Sequence, residues 1–405
     1  MELDSLWQRM PLRDIAAHAG TPLLVVSEQR LRENVRDLKA GFGGGVMLRY
    51  CAKTNPERLV LETVREEGTD VLASHVAEVR LALSAGFAPE AIAFQRPVLD
   101  DRDVDAVLAL GVRRIHAFRA EDLDRLSRAA RRNATTLNVS LRVSLGRTGM
   151  VVLSAASRRL GFDPKQLDAT PREGLVIDAL NTYIGTQQED VEAYRRPLRQ
   201  LLRLADRLRT IREVNLGGGI PSGTLRRVTP SRLLRRDTPR PATPLREYAT
   251  ALRSLFDEEA RGSVALALEP GRSIIGNAAV LLTTVAAAQG SWRFLDCGRN
   301  VLVESPLAFT RPIVPLEPRR GRTSIVHFSG PTLNTLDVVE MRRRLPELRA
   351  GDVLAIGDAG AYTLSRGTRY AGLAPAVVLV RTSGEWETIR RADTYEDFVG
   401  SMVSS

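Results

Sequence analysis

Lysine is nearly absent. Of 58 Lys+Arg residues only Lys39, Lys53 and Lys165 are lysine, so arginine carries almost all the fixed positive charge. Histidine is scarce as well, limited to His18, His75, His116 and His327. The two cysteines, Cys51 and Cys297, exclude a disulfide framework, and neither sits in a metal-ligand cluster, so no metal is expected. No apolar run reaches the roughly eighteen residues of a membrane span. Met1-Glu-Leu-Asp also lacks a basic stretch followed by an apolar one, so a cytoplasmic protein with no membrane partner is expected. The formal net charge of +10 is spread along the chain, without zinc-ligand spacing, a helix-turn-helix signature or an aromatic RNA motif. Nucleic acid is therefore not an expected partner.

That scarcity makes Lys53 informative. It follows the apolar stretch Val46–Cys51 and precedes Thr54-Asn55-Pro56, a place where arginine would have served solubility equally well. An amine, unlike a guanidinium, can lose its proton and form a Schiff base.

Short β-rich runs alternate with helix-sized segments: Val46–Cys51, Thr69–Ala73, Ala91–Gln95, Arg113–Ala117, Asn138–Val143, Leu175–Ile184, Glu213–Leu216 and Val264–Leu268. Eight such strands predict an α/β fold, a (β/α)8 TIM-like barrel. Ala77–Ala85 and Val191–Ile211 space leucine and alanine as helices do. After about Ile275 strands and turns dominate, as in Ala278–Ala287, Ser324–Phe328, Asp352–Ile356 and Ala376–Arg381. The expected organisation is a barrel over 25–274 and a mostly β domain over 275–405, with residues 1–24 contributing to the second. Leu225–Arg246, rich in arginine and proline, is expected to be a surface excursion after the seventh strand.

Several chemical groups fall at the carboxyl ends of these strands, where barrel enzymes build their sites. Lys53 follows the first. Gly217-Gly218-Gly219 follows the seventh, and missing side chains there let backbone N–H groups approach an anion. Glu269-Pro270-Gly271-Arg272 follows the eighth with a carboxylate and a guanidinium. Tyr362, in Gly357-Asp358-Ala359-Gly360-Ala361-Tyr362-Thr363, offers a hydroxyl from the second domain. A Schiff-base amine, a phosphate cradle, an acid for a pyridine nitrogen and an arginine together suit pyridoxal phosphate.

In these motifs, and in their order, the chain resembles the fold-type III pyridoxal-phosphate enzymes, the ornithine, diaminopimelate and arginine decarboxylase group with its alanine racemase-like barrel. The resemblance runs from about Pro22 to about Leu373. It implies that Lys53 binds the cofactor aldehyde and that Gly217, Gly218, Gly219, Gly271, Arg272, Tyr362 and Thr186 bind its phosphate. It further implies that Glu269 meets the ring nitrogen and that Tyr183 stacks on the ring. Lys53, Tyr183 and Glu269 would be the catalytic set. A homodimer with shared active sites is implied too.

Two departures bear on the reaction. Tyr183 stands where the family usually has a stacking histidine, and a phenol carries no charge at neutral pH. In Gly330-Pro331-Thr332-Leu333-Asn334, Leu333 and Asn334 replace a cysteine and an acid. Leucine has no proton to give, and asparagine cannot hold a cationic distal group by charge. The expectation is therefore an amino-acid decarboxylase, a carbon–carbon lyase (EC 4.1.1.-), acting on a non-standard small amino-acid substrate in secondary metabolism; Arg299 falls in the region that shapes the family's distal pocket, where it either receives a distal carboxylate or points to solvent. A racemase or carbanion-coupling enzyme on the same cofactor, or a non-catalytic cofactor-binding homologue, stays open.

Overall fold

The computed structural model describes residues 3–145, 159–165, 167, 170–228, 242–260, 264–304, 306, 308–317 and 321–402. The chain forms two compact units, one of Arg32–Pro221 with Thr243–Ile274 and another of Met1–Leu31 with Ser222–Ala242 and Ile275–Ser405.

The first unit is a closed, parallel eight-stranded barrel. In chain order its strands are Val46–Cys51, Asp70–Ala73, Ile92–Gln95, Arg114–Ala117, Leu137–Arg142, Leu175–Asn181, Glu213–Asn215 and Ala265–Leu268. The eighth closes the ring by pairing with both the first and the seventh. Parallel strands are covered on both faces, which is why runs such as Val71-Leu72-Ala73 and Val139 to Leu141 are buried throughout rather than alternating. The barrel anticipated from the alternation of strands and helices is the one observed.

Helices pack outside it through one apolar stripe. Arg58–Glu66 buries Val60, Leu61, Thr63 and Val64, while Arg195–Leu208 buries Leu198, Leu201, Leu204 and Ala205. The expected helix Val191–Ile211 is shorter and divided: a 3-10 turn, Val191–Tyr194, capped by Asp190, precedes the α-helix. Pro197 explains the division, because without an N–H it is tolerated only in a helix's first turn. Arg209 ends the helix in the left-handed region with φ 56°.

The second unit is a nine-stranded sheet. Its main path runs Val338–Pro346, Thr323–Ser329, Trp292–Leu295, Ala279–Gln289, Leu23–Ser27, Ala376–Val380 and Trp386–Arg390. Val353–Ile356 pairs with Ala279–Gln289 and with Ile313–Pro315. Leu23–Ser27 lies wholly within this sheet, antiparallel to Ala279–Gln289 and parallel to Ala376–Val380. Its core gathers Leu3, together with Trp7, Leu12 and Ile15 from two amino-terminal helices, onto Leu23, Val25, Val280, Leu282, Ala355, Val378 and Val380.

Leu225–Arg246 departs at both ends from the expected excursion. Leu225 is fully buried, and Arg226–Arg227 pairs antiparallel with Phe309–Thr310. At the other end Leu245–Glu259 is a helix following Pro244. Residues 229–241 of that segment lie outside the described residues. Among the described residues no helix is long and apolar enough to cross a membrane.

Candidate active site

The barrel's carboxyl rim brings together most of the residues singled out by sequence. The first strand stops at Cys51, and Ala52–Thr54 makes a single 3-10 turn that carries Lys53 outward with an exposed side chain. This turn abuts the end of the eighth strand: the Cys51 N–H donates to the Pro270 carbonyl at 3.0 Å. A side chain at Gly271 would collide with the Thr54 hydroxyl, so close approach, not backbone freedom, demands glycine there.

Glu269 is buried at the centre of this rim. Its Oε1 accepts from Asn215 Nδ2 at 2.8 Å and from Asn181 Nδ2 at 3.2 Å. Both asparagines end barrel strands, the seventh and the sixth. Burial raises the Glu269 pKa, opposed by Arg142, Arg49, the Asn215 hydrogen bond and Lys53.

Asn215 does a second job, because its Oδ1 accepts the Gly217 N–H at 2.8 Å and so anchors the glycine turn. The Glu269 N–H donates to the Gly217 carbonyl at 2.9 Å, the Gln188 N–H to the Gly219 carbonyl at 2.8 Å, and the Tyr194 hydroxyl to the Gly218 carbonyl at 3.2 Å. A Cβ on Gly217 would strike the Thr182 carbonyl. One on Gly218 would lie 3.0 Å from the Glu269 carbonyl, and one on Gly219 2.5 Å from that of Gly185. Gly217 and Gly219 have φ of +71° and +106°. The turn is a shaped backbone surface with no room for side chains, which is the form an anion cradle requires. With Lys53, Glu269 and Arg272 on the same unit, these groups fit pyridoxal phosphate.

Tyr183 is 43% exposed just past the sixth strand, and the Arg142 guanidinium carbon lies 5.8 Å from its ring centroid. That is cation–π range. Arg142 also donates to Asn181 Oδ1 at 2.7 Å, and burial lowers its pKa to about 10. Thr186 follows on the same loop. Cys51, pushed by burial to about 11, is no nucleophile at neutral pH.

In the β unit, Tyr362 is half-buried with φ 63°, and Asp358, four residues before it, has φ 53°. Two non-glycine residues in the left-handed region mark a constrained turn. Asp358 is pinned there by the hydroxyls of Ser222 and Thr224. Arg299 and Asn334 line a cavity of about 260 Å³ with Thr332, Asp337 and Tyr370. Asp337 organises it, accepting from the Arg299 N–H at 2.7 Å and from the Thr332 N–H at 3.0 Å. The Arg299 side chain reaches the carbonyls of Leu336 and Val303. Leu333 does not line the cavity; it is fully exposed.

Sequence reasoning missed Asn181, Asn215, His116 and Arg142. A partial signal existed for each: a polar residue in a barrel strand, although each of those strands carries at least one other polar residue.

Residues 28–276 match the family model described as pyridoxal-dependent decarboxylase, pyridoxal binding domain. The chain is similar to the diaminopimelate decarboxylase of Methanothermobacter thermautotrophicus, 28% identical with 95% of this chain and 92% of that protein covered. The Vibrio cholerae protein of the same name is 27% identical, covering 94% and 92%. Among solved structures, diaminopimelate decarboxylase from M. jannaschii in complex with L-lysine superposes with a TM-score of 0.85 at 21% identity, covering 97% and 94%. Lysine/ornithine decarboxylase from Vibrio vulnificus with putrescine superposes at 0.77 and 19%, covering 95% and 100%. At those identities the superpositions speak for the fold alone.

Proposed function

The chain belongs to the pyridoxal-dependent decarboxylase family, and from that premise we propose that it removes the α-carboxylate from an amino acid carrying a distal carboxylate, the class that includes diaminopimelate. This replaces the expectation of a non-standard substrate, because the relatives bear the name diaminopimelate decarboxylase. One grouping supports the reading most: Lys53, the Gly217–Gly219 turn and Glu269 all leave the carboxyl ends of barrel strands.

Pyridoxal phosphate, when bound, supplies an aldehyde that takes up an amine and an electron-poor ring that accepts the electron pair left by departing CO2. Lys53 would hold the aldehyde and give way to the substrate amine. Gly217, Gly218, Gly219, Thr186, Gly271, Arg272 and Tyr362 would bind the phosphate. Glu269 would hold a proton at the ring nitrogen, and Tyr183, steadied by Arg142, would cover a ring face. The distal carboxylate is assigned to the cavity of Arg299 and Asn334, where a guanidinium provides paired donors and Asp337, the acid that also lines it, is engaged by the N–H groups of Arg299 and Thr332. A homodimer in the cytoplasm completes the reading.

The test has two arms. Borohydride reduction and peptide mapping of the loaded protein should place the pyridoxyl adduct on Lys53, with none in Lys53→Ala. Release of CO2 should follow from diaminopimelate and not from ornithine; the reverse preference would overturn the substrate class. The exposed, proton-free Leu333 favours one other outcome, Cα exchange in deuterated water without CO2 release, which would make the enzyme a racemase or a carbanion-coupling catalyst.

A further inference from the structure

His116 has no place in the family motifs, yet it occupies the barrel interior. It lies on the fourth strand, Arg114–Ala117, with no solvent exposure, and among the described residues neither Nδ1 nor Nε2 has a hydrogen-bond partner. A buried imidazole with both nitrogens unused is costly, since a satisfied polar group is the rule inside proteins. Glu269 is an ionisable neighbour, its Oε1 standing 3.8 Å from Nε2.

The charged groups around it are Arg49 from the first strand, Arg114 from its own, Arg142 from the fifth and Glu269 after the eighth. Burial and the three arginines keep the imidazole neutral, its pKa held well below 6.5. A neutral ring carries one N–H. Facing a carboxylate, the tautomer with the proton on Nε2 is favoured, because a lone pair there would be repelled. At 3.8 Å the contact is not yet a hydrogen bond, and an approach of about one ångström would make it one.

Glu269 is asymmetric as a result. Oε1 already accepts from Asn181 and Asn215, and His116 Nε2 comes from the same side. Among the described residues no hydrogen bond reaches Oε2. We propose that His116 is a positioning residue for Glu269: a neutral Nε2–H donor that, with the two asparagines, commits Oε1 and leaves Oε2 to meet the cofactor's ring nitrogen. This rests on the reading of Glu269 as the acid that faces that nitrogen. A neutral donor suits the task better than a fourth arginine, because it fixes the carboxylate without drawing off its charge.

Two variants and one label test it. In the ligand-free protein, nitrogen-15 NMR of labelled histidine should show one ring, absent from His116→Gln, that stays neutral with Nε2 protonated from about pH 6 to about pH 8. In the loaded enzyme, His116→Leu should shift the pH midpoint of the cofactor's absorbance change and lower kcat about tenfold with KM held, while His116→Gln, which keeps a neutral N–H, restores both. A purely structural role would move the unfolding midpoint of His116→Leu without moving the absorbance midpoint, and that result overturns the proposal. So does a His116 ring protonated on Nδ1 or titrating near neutrality. A wild-type protein that forms no adduct at Lys53 would defeat the functional reading instead, and the ligand-free NMR would still decide the state of His116.

Discussion

Arg49 and Glu213 form a two-bond ion pair inside the barrel, Nη1 to Oε1 at 2.6 Å and Nη2 to Oε2 at 2.7 Å, with both side chains almost wholly buried. Arg114 on the fourth strand pairs with Asp178 on the sixth at 3.1 Å and stands 3.8 Å from Glu213. Part of the barrel interior is therefore an ionic layer rather than a stack of aliphatic side chains. Such a pair gains little over a well-packed apolar one, but losing one partner strands a buried charge.

The two halves of the pair should thus differ. Glu213→Leu leaves Arg49 without its partner, and a cost of about 3–5 kcal/mol is expected. Arg49→Met should cost less, because Glu213 keeps Arg114 nearby. The double variant should recover most of the loss. Urea unfolding of the four proteins checks this, and equal costs for the two single changes would contradict the asymmetry.

The glycine turn leads to a separable effect on the cofactor. Gly217→Ala forces a Cβ against the Thr182 carbonyl at a residue with φ +71°, so strain of about 1–3 kcal/mol is expected along with weaker pyridoxal phosphate binding. Gly218→Ala has an ordinary φ and a 3.0 Å approach to the Glu269 carbonyl, so it should be milder in both respects. Cofactor titration by fluorescence, beside thermal unfolding, ranks the pair. A Gly218→Ala more damaging than Gly217→Ala would refute the geometry.

The barrel was legible because eight short β-rich runs alternate with helix-sized segments. Val46–Cys51 matches its predicted bounds, and the others shift by a residue or two, except the sixth, which stops at Asn181 rather than Ile184. Lys53, Glu269 and the triple glycine stood out by residue type at strand ends. What stayed hidden was pairing across the ring: nothing local says that Asn181 and Asn215, 34 positions apart, converge on one oxygen of Glu269. The buried start of Leu225–Arg246 was hidden for a similar reason, since arginine content marks a segment as polar and cannot reveal the Phe309–Thr310 strand that Arg226–Arg227 pairs with.

Glu269 should also leave its mark on the pH dependence of stability. Burial lifts its pKa above the ordinary 4.5, so the folded state holds this proton more tightly than the unfolded one. The associated stability is complete below the unfolded pKa and is lost as pH rises through the folded value. Glu269→Gln does not titrate at this site, so the wild type should weaken relative to it between about pH 4 and about pH 7. Denaturation midpoints at both pH values test the sign, and a difference independent of pH would show that the carboxyl is not perturbed.

Arg299 provides the sharpest test of substrate class. Its Nη1 and Nη2 reach the carbonyls of Leu336 and Val303, and its N–H is held by Asp337, so the guanidinium is anchored before any ligand arrives. An anchored guanidinium loses little side-chain freedom on binding and therefore discriminates by charge. Arg299→Gln should keep the fold but forfeit a charge-assisted hydrogen bond, weakening a substrate with a distal carboxylate by about 1.5–3 kcal/mol, roughly tenfold to a hundredfold in kcat/KM. A monocarboxylic amino acid of the same length should lose little or even gain, since no carboxylate is there to miss the cation. If both substrates fell equally, Arg299 would be supporting the Thr332–Asp337 turn and not reading the distal group, and the substrate class would have to be sought elsewhere.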